Sequence, residues 1–297
     1  MTSFAGIERV GDIRCGVGES PVWDAAHGAW YWVDIPAKTI WRLDASSGMT
    51  RNWQTSEMAA CIALKERGGL IAGMESGIFS IELGAGQAVL STKLAAPTEG
   101  LGEGLRFNDG RCDRQGRFWA GTMFMDMAAK KAVGQLHRYT TQQGISAPIV
   151  SNLLTQNGLA WSPDGRTMYL SDSHPASQLI WAFDYDTDQG MPSNQRVFVD
   201  MNEHPGRPDG AAMDGDGCYW ICGNDGGCIL RFTPEGKLDR RIDLPMAKPA
   251  MCSFGGANLD TMIVTSIVPP NSTDEWAGAV LLLNPGVKGV PEARFKG

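Results

Sequence analysis

The stretch Asn157-Gly-Leu-Ala-Trp-Ser-Pro-Asp-Gly165, followed by Thr167-Met-Tyr-Leu-Ser171 and Leu179-Ile-Trp-Ala-Phe-Asp-Tyr185, carries the unit from which the chain is built. A polar residue opens a short apolar run, an Asp/Gly turn follows, and two more apolar runs complete it. Asp209 to Gly217, Cys218 to Cys222 and Cys228 to Phe232 repeat the pattern, and so do Asn108 to Gly116, Arg117 to Gly121 and Gln135 to Tyr139. Weaker copies start near Glu19, Ala60 and Met251. That makes six units of roughly 40–50 residues, each of three or four short strands, which is the periodicity of a β-propeller. Glycine at 37 of 297 residues and ten Trp fit an all-β chain with many tight turns and aromatic packing. Without a Pro/Ser linker or a helical period, residues 1–297 are expected to form a single six-bladed β-propeller domain. A pair of β-sandwiches would explain the strands but not the repeat. Ile7 to Ile13 precedes the first unit and is expected to add an outer strand to the last, closing the ring and removing a sheet edge.

The polar residues share a register. Asn108, Asn157 and Asp209 each stand eight residues before a turn glycine (Gly116, Gly165, Gly217), and Glu19 stands nine before Gly28. Ala60 and Met251 hold that place in the other two units. In a propeller the innermost strands line the central channel, so four blades would aim Glu, Asn, Asn and Asp at one point. Two carboxylates and two amides gathered there form a hard oxygen-donor set suited to a divalent cation. Taken singly, each is better explained as an Asx turn bonding its own backbone; four at one register favour ligation.

The segments Gly18-Glu-Ser-Pro-Val-Trp23, Arg106-Phe-Asn-Asp-Gly110, Gly121-Thr-Met123, Asn157-Gly-Leu-Ala-Trp-Ser-Pro-Asp164 and Pro208-Asp-Gly210 resemble, in order, those of the gluconolactonase / senescence marker protein / luciferin-regenerating enzyme family. The resemblance runs from about Glu8 to Leu283. It implies a six-bladed propeller that binds one divalent cation and hydrolyses sugar lactones. The family's metal ligands fall on Glu19, Asn157 and Asp209, and its substrate contacts on Arg106 and Asn108. A further contact, a glutamate in the family, falls on Asp126, whose carboxylate is one methylene shorter.

Lactone hydrolysis needs a polarised carbonyl and an activated water, which a divalent ion with open coordination positions can supply. Asp209 is the candidate general base, held in a stiff turn after Pro208. Arg106 offers a planar fork of donors to a sugar hydroxyl or the ring ester, and Asn108 can both donate and accept. The donor set does not choose among Ca, Zn, Mn, Mg and Fe(II). Two other functions fit the same centre: a phosphotriesterase-type hydrolase, and a non-catalytic calcium-binding propeller.

Other signals exclude alternatives. A net charge of −7 without basic blocks speaks against nucleic acid or an anionic membrane as partner. No apolar run approaches the ~18 residues of a membrane span, and the first residues lack a signal-peptide core. Seven Cys cannot all pair, so free thiols in a reducing cytoplasm are expected. There is no His-Glu-x-x-His and no Gly-x-Ser-x-Gly elbow. Cys218, Cys222 and Cys228 are expected to be buried sheet thiols, and Asp184 to Asp188 a solvated turn rather than a calcium loop.

Overall fold

The computed structural model describes residues 6–97 and 100–297. Its strands form six antiparallel sheets, five of four strands and one of five; four are meanders of four consecutive strands, and in the five-stranded sheet the last strand, Val150–Leu153, pairs back onto Gly134–Thr140. The inner strands are Gly18–Asp24, Ala59–Leu64, Leu105–Cys112, Gln156–Trp161, Arg207–Met213 and Pro249–Gly255, which define blades 1 to 6. Each inner strand touches those of both neighbouring blades, so the six close into a ring. This is the six-bladed β-propeller expected from the repeat. Blade 6 is completed by Ile7–Arg9, which pairs Leu281–Leu283 as its outermost strand.

The recurrent Asp-x-x-Gly is a turn device at the face opposite the polar register. Asp113 Oδ1 accepts from the backbone N–H of Gln115 (3.0 Å) and Arg117 (2.9 Å), and Asp214 Oδ1 does the same for Asp216 (3.0 Å) and Cys218 (2.9 Å). Gly116 (φ 86°) and Gly217 (φ 82°) then take the left-handed conformation that reverses the chain. The second carboxylate oxygen of Asp113 reaches across to blade 4 and accepts from Tyr185 Oη (2.5 Å), while that of Asp214 reaches into its own blade and accepts from Trp220 Nε1 (2.8 Å) and Arg231 Nε (2.7 Å). Trp30, Trp32, Trp119, Trp161 and Trp220 are fully buried between sheets. Trp119 and Trp161 meet across blades 3 and 4 at 5.8 Å. All seven cysteines are buried and free.

Chain beyond the last strand straps the far mouth of the channel. The backbone of Gly289 donates to Leu259 O (2.8 Å) and that of Phe295 to Leu64 O (2.8 Å), and Arg294 pairs with Asp24 at 2.5 Å. Glu292 faces the buried Arg111 at 3.5 Å, leaving a cavity there of about 10 Å³, room for one water at most. No described helix is long and apolar enough to cross a membrane.

Candidate active site

Every inner strand carries a β-bulge near the channel, between Glu19 and Val22, Phe107 and Gly110, Asn157 and Ala160, and Pro208 and Ala211 in the four polar blades. A bulge lifts the polar residue out of strict alternation and turns its side chain inward. In blade 4 the left-handed residue behind the bulge is Gly158 (φ 62°); in blade 1 it is Ser20 (φ 52°). That conformation costs a residue with a Cβ about 1–2 kcal/mol. Ser20 offsets it by bonding across to blade 2, its Oγ accepting from Ile62 N at 2.8 Å and donating to Ile62 O at 3.2 Å.

Three of the residues named from the sequence meet directly. Arg106 Nη1 donates to Asn108 Oδ1 (2.8 Å) and to its neighbour's carbonyl, Phe107 O (2.8 Å). Asn108 Nδ2 donates to Asn157 Oδ1 (3.1 Å) and Gln156 O (2.7 Å). Asn157 Nδ2 donates to Ser173 Oγ at 2.7 Å, which orients its amide with the oxygen toward Asn108. Glu19 is 8% exposed and Asp209 6%. Glu19 feels the charge of Asp209, and Arg106 feels both. Asp209 Oδ2 accepts from Asn224 Nδ2 at 2.6 Å. Among the described residues nothing donates to Asp209 Oδ1, and Glu19 has only the N–H of Ser20 at 3.3 Å.

These carboxylates are electrostatically frustrated. Burial pushes the Glu19 carboxyl well above the usual range, and the charges of Asp209 and Asp109 push it further. Burial raises Asp209 to about 7 against the lowering pull of Arg207 and the Asn224 hydrogen bond. Asp109, deeper in the channel, is raised by its own burial; one oxygen accepts from Leu159 N at 2.9 Å and the other has no partner. Burial lowers the Arg106 guanidinium, which Glu19 resists. Two under-bonded carboxylates and an amide oxygen with a spare lone pair fit a hard divalent cation, which would favour the charged forms that burial disfavours. Among the described residues no three His, Cys, Asp or Glu side chains form a metal-binding group; a centre here would use the Asn157 amide as its third donor.

Among the described residues, Asp126 makes no hydrogen bond to this cluster. It is exposed and caps the one-turn helix Met127–Ala129, accepting from Ala128 N at 3.1 Å. That turn is docked onto blade 4 through His174, whose Nε2 lies 3.0 Å from Met127 O. His174 Nδ1 accepts from Ala176 N (3.0 Å), so Nε2 carries the proton and donates.

The sequence reading passed over Ser173, Arg207 and Asn224. For Asn224 alone a signal was available, in the last residue of the second strand of blades 1, 4 and 5. Asp34 and Asp172 stand there in blades 1 and 4 and accept from the backbone of the incoming loop: Gly16 and Val17 for Asp34, Leu154 and Thr155 for Asp172. Blade 5 has Asn224 at that register, which can also donate, and it turns to Asp209 instead.

The family model described as the SMP-30/gluconolactonase/LRE-like region matches residues 17–268. A 6-deoxy-6-sulfogluconolactonase of Pseudomonas putida is 37% identical over 287 residues, covering 95% of each chain. Regucalcin of Gallus gallus is 33% identical over 98% of each chain. Among solved structures, a luciferin-regenerating enzyme superposes with a TM-score of 0.87 at 26% identity over 98% of this chain and 99% of that one. With that family model matched over residues 17–268 and relatives above 30% identical along their full length, the chain belongs to the SMP-30/gluconolactonase/LRE-like family.

Proposed function

We propose that this protein hydrolyses a sugar lactone to the open-chain acid, at a centre where Glu19, Asn157 and Asp209 hold one divalent cation. The observation that carries the reading is the arrangement of donors. Buried, under-bonded oxygens from blades 1, 4 and 5 stand beside Arg106, which spends only Nη1 on the protein. Its Nε and Nη2 find no acceptor among the described residues and are left for substrate oxygens. The lactonase activity in the name of the Pseudomonas putida relative supports the substrate class.

The cation would supply Lewis-acid polarisation of the lactone carbonyl. The chain's own groups do the rest. Arg106 grips the sugar through its two spare donors, a charge-assisted pairing that also fixes orientation. Both amide hydrogens of Asn108 are committed to Gln156 O and Asn157 Oδ1, so it meets substrate as an acceptor, through the lone pair Arg106 leaves free. Asp209, held through Oδ2 by Asn224, takes the proton of the attacking water. As water oxygen bonds to the acyl carbon and the ring C–O bond breaks, that proton passes to the leaving ring oxygen. The acid formed ionises, so one proton is released per turnover. Asp126, on its docked turn, is assigned to the far end of the sugar.

The test is proton release from a panel of pentono- and hexonolactones by metal-stripped protein, alone and with each divalent ion restored. Turnover that returns with metal and ranks the lactones supports the proposal. Silence across the panel by protein shown to bind metal would overturn it in favour of a phosphotriesterase or a binding protein.

A further inference from the structure

Arg207 opens the inner strand of blade 5, two residues before Asp209, and is mostly buried. All three of its nitrogens are engaged, each with a different acceptor. Nη2 donates to Asn224 Oδ1 at 3.0 Å, Nη1 to the Ser173 carbonyl at 2.9 Å, and Nε to Asp225 Oδ2 at 2.8 Å. Two of these acceptors lead to the candidate ligands. Asn224 passes its Nδ2–H to Asp209 Oδ2 (2.6 Å), and Ser173 Oγ accepts from Asn157 Nδ2 (2.7 Å). The third, Asp225, is also bound by Lys248 from the loop entering blade 6, which anchors the fork from behind. The guanidinium can only donate and the Asp209 carboxylate can only accept, so the Asn224 amide between them is fixed in one orientation.

From this chain of contacts we infer that Arg207 is a positioning residue that sets the spacing of Asn157 and Asp209, one ligand per arm of its fork. The inference rests on the assignment of those two residues as metal ligands in the proposed function. Groups that orient ligands from behind typically change metal affinity 10–100-fold when removed. A lysine keeps the charge, but a single ammonium cannot reach two acceptors on separate blades and a carboxylate together, so charge alone will not replace the planar fork.

The experiment is calorimetric titration of metal-stripped protein with Mn²⁺, using the full chain and its Arg207→Lys, Arg207→Met, Asn224→Ala and Asp209→Asn variants, each also melted without metal. Arg207→Lys and Arg207→Met should each raise the Mn²⁺ Kd about 10-fold or more, read at a temperature where the metal-free melts show each variant fully folded. The double variant R207M/N224A should lose less than the product of the two single losses, because both act through Asp209. Wild-type affinity in Arg207→Met, or full rescue by Arg207→Lys, would overturn the inference while leaving the ligand assignment intact. Unchanged affinity in Asp209→Asn, or no Mn²⁺ binding by the wild type, would instead overturn the ligand assignment and the inference with it.

Discussion

Asp209→Asn is expected to abolish turnover and yet to stabilise the metal-free protein at alkaline pH. Burial pushes this carboxyl from the ordinary carboxylate range up to about 7, and each tenfold change in proton affinity corresponds to about 1.4 kcal/mol. Above pH 7 the folded, metal-free chain therefore carries a strain of about 4 kcal/mol from holding this group ionised. The sign follows from the direction of the shift. A carboxyl whose folded pKa is raised favours the fold below its unfolded pKa, and that contribution is lost as pH rises from about 4 through about 7. The amide variant cannot ionise, and its oxygen can still accept from Asn224 Nδ2, though more weakly than a carboxylate does. A net gain of about 2–3 kcal/mol is expected at pH 8, shrinking toward zero at pH 5, where the wild type largely protonates itself. Urea denaturation of both metal-stripped proteins at the two pH values measures this directly. Saturating divalent metal at pH 8 should reverse the order, since only the wild type binds it tightly. A variant less stable than wild type by the same margin at both pH values would refute the electrostatic argument.

Two further substitutions separate the substrate groups from the metal centre. Arg106→Met should lower kcat/KM by about 10–100-fold, the worth of charge-assisted hydrogen bonds, while a divalent-ion titration stays within a few-fold of wild type; loss of metal binding would mean that Arg106 supports the ligands rather than the sugar. Asp126→Glu lengthens the exposed side chain that caps the Met127–Ala129 turn, and should reorder preference among lactones without changing metal affinity. An unchanged ranking across the panel would mean that this turn does not reach the substrate.

Much of the architecture was legible because the repeat is written in local chemistry. Each unit must turn between its first two strands, and in blades 3 and 5 an Asp-x-x-Gly does so with a short carboxylate and a residue free to adopt positive φ, Asp113 with Gly116 and Asp214 with Gly217. Counting from those glycines located the channel-facing residues, since a propeller brings equivalent positions to one axis. The expectation that Ile7 begins an outer strand of the last blade also held, because a closed ring leaves no better partner for it than Leu281–Leu283. The pairings behind the site were not legible. Ser173 and Arg207 read as ordinary loop residues, and nothing local says that one guanidinium joins blades 4 and 5.

The division follows from range. Strand periodicity, turn chemistry and the register of Glu19, Asn108, Asn157 and Asp209 are properties of neighbours along the chain, and the amino-acid sequence determines them by itself. Which of those residues bond one another, which carboxylates are stripped of water, and how far burial raises Glu19 and Asp209 depend on groups brought together from separate blades. The Asp126 turn makes the same point, since its docking to His174 spans 47 residues of sequence. So does the C-terminal strap, whose Glu292 meets Arg111 across the channel's far mouth. Desolvation and long-range hydrogen bonding are collective, and only the closed ring of sheets decides them.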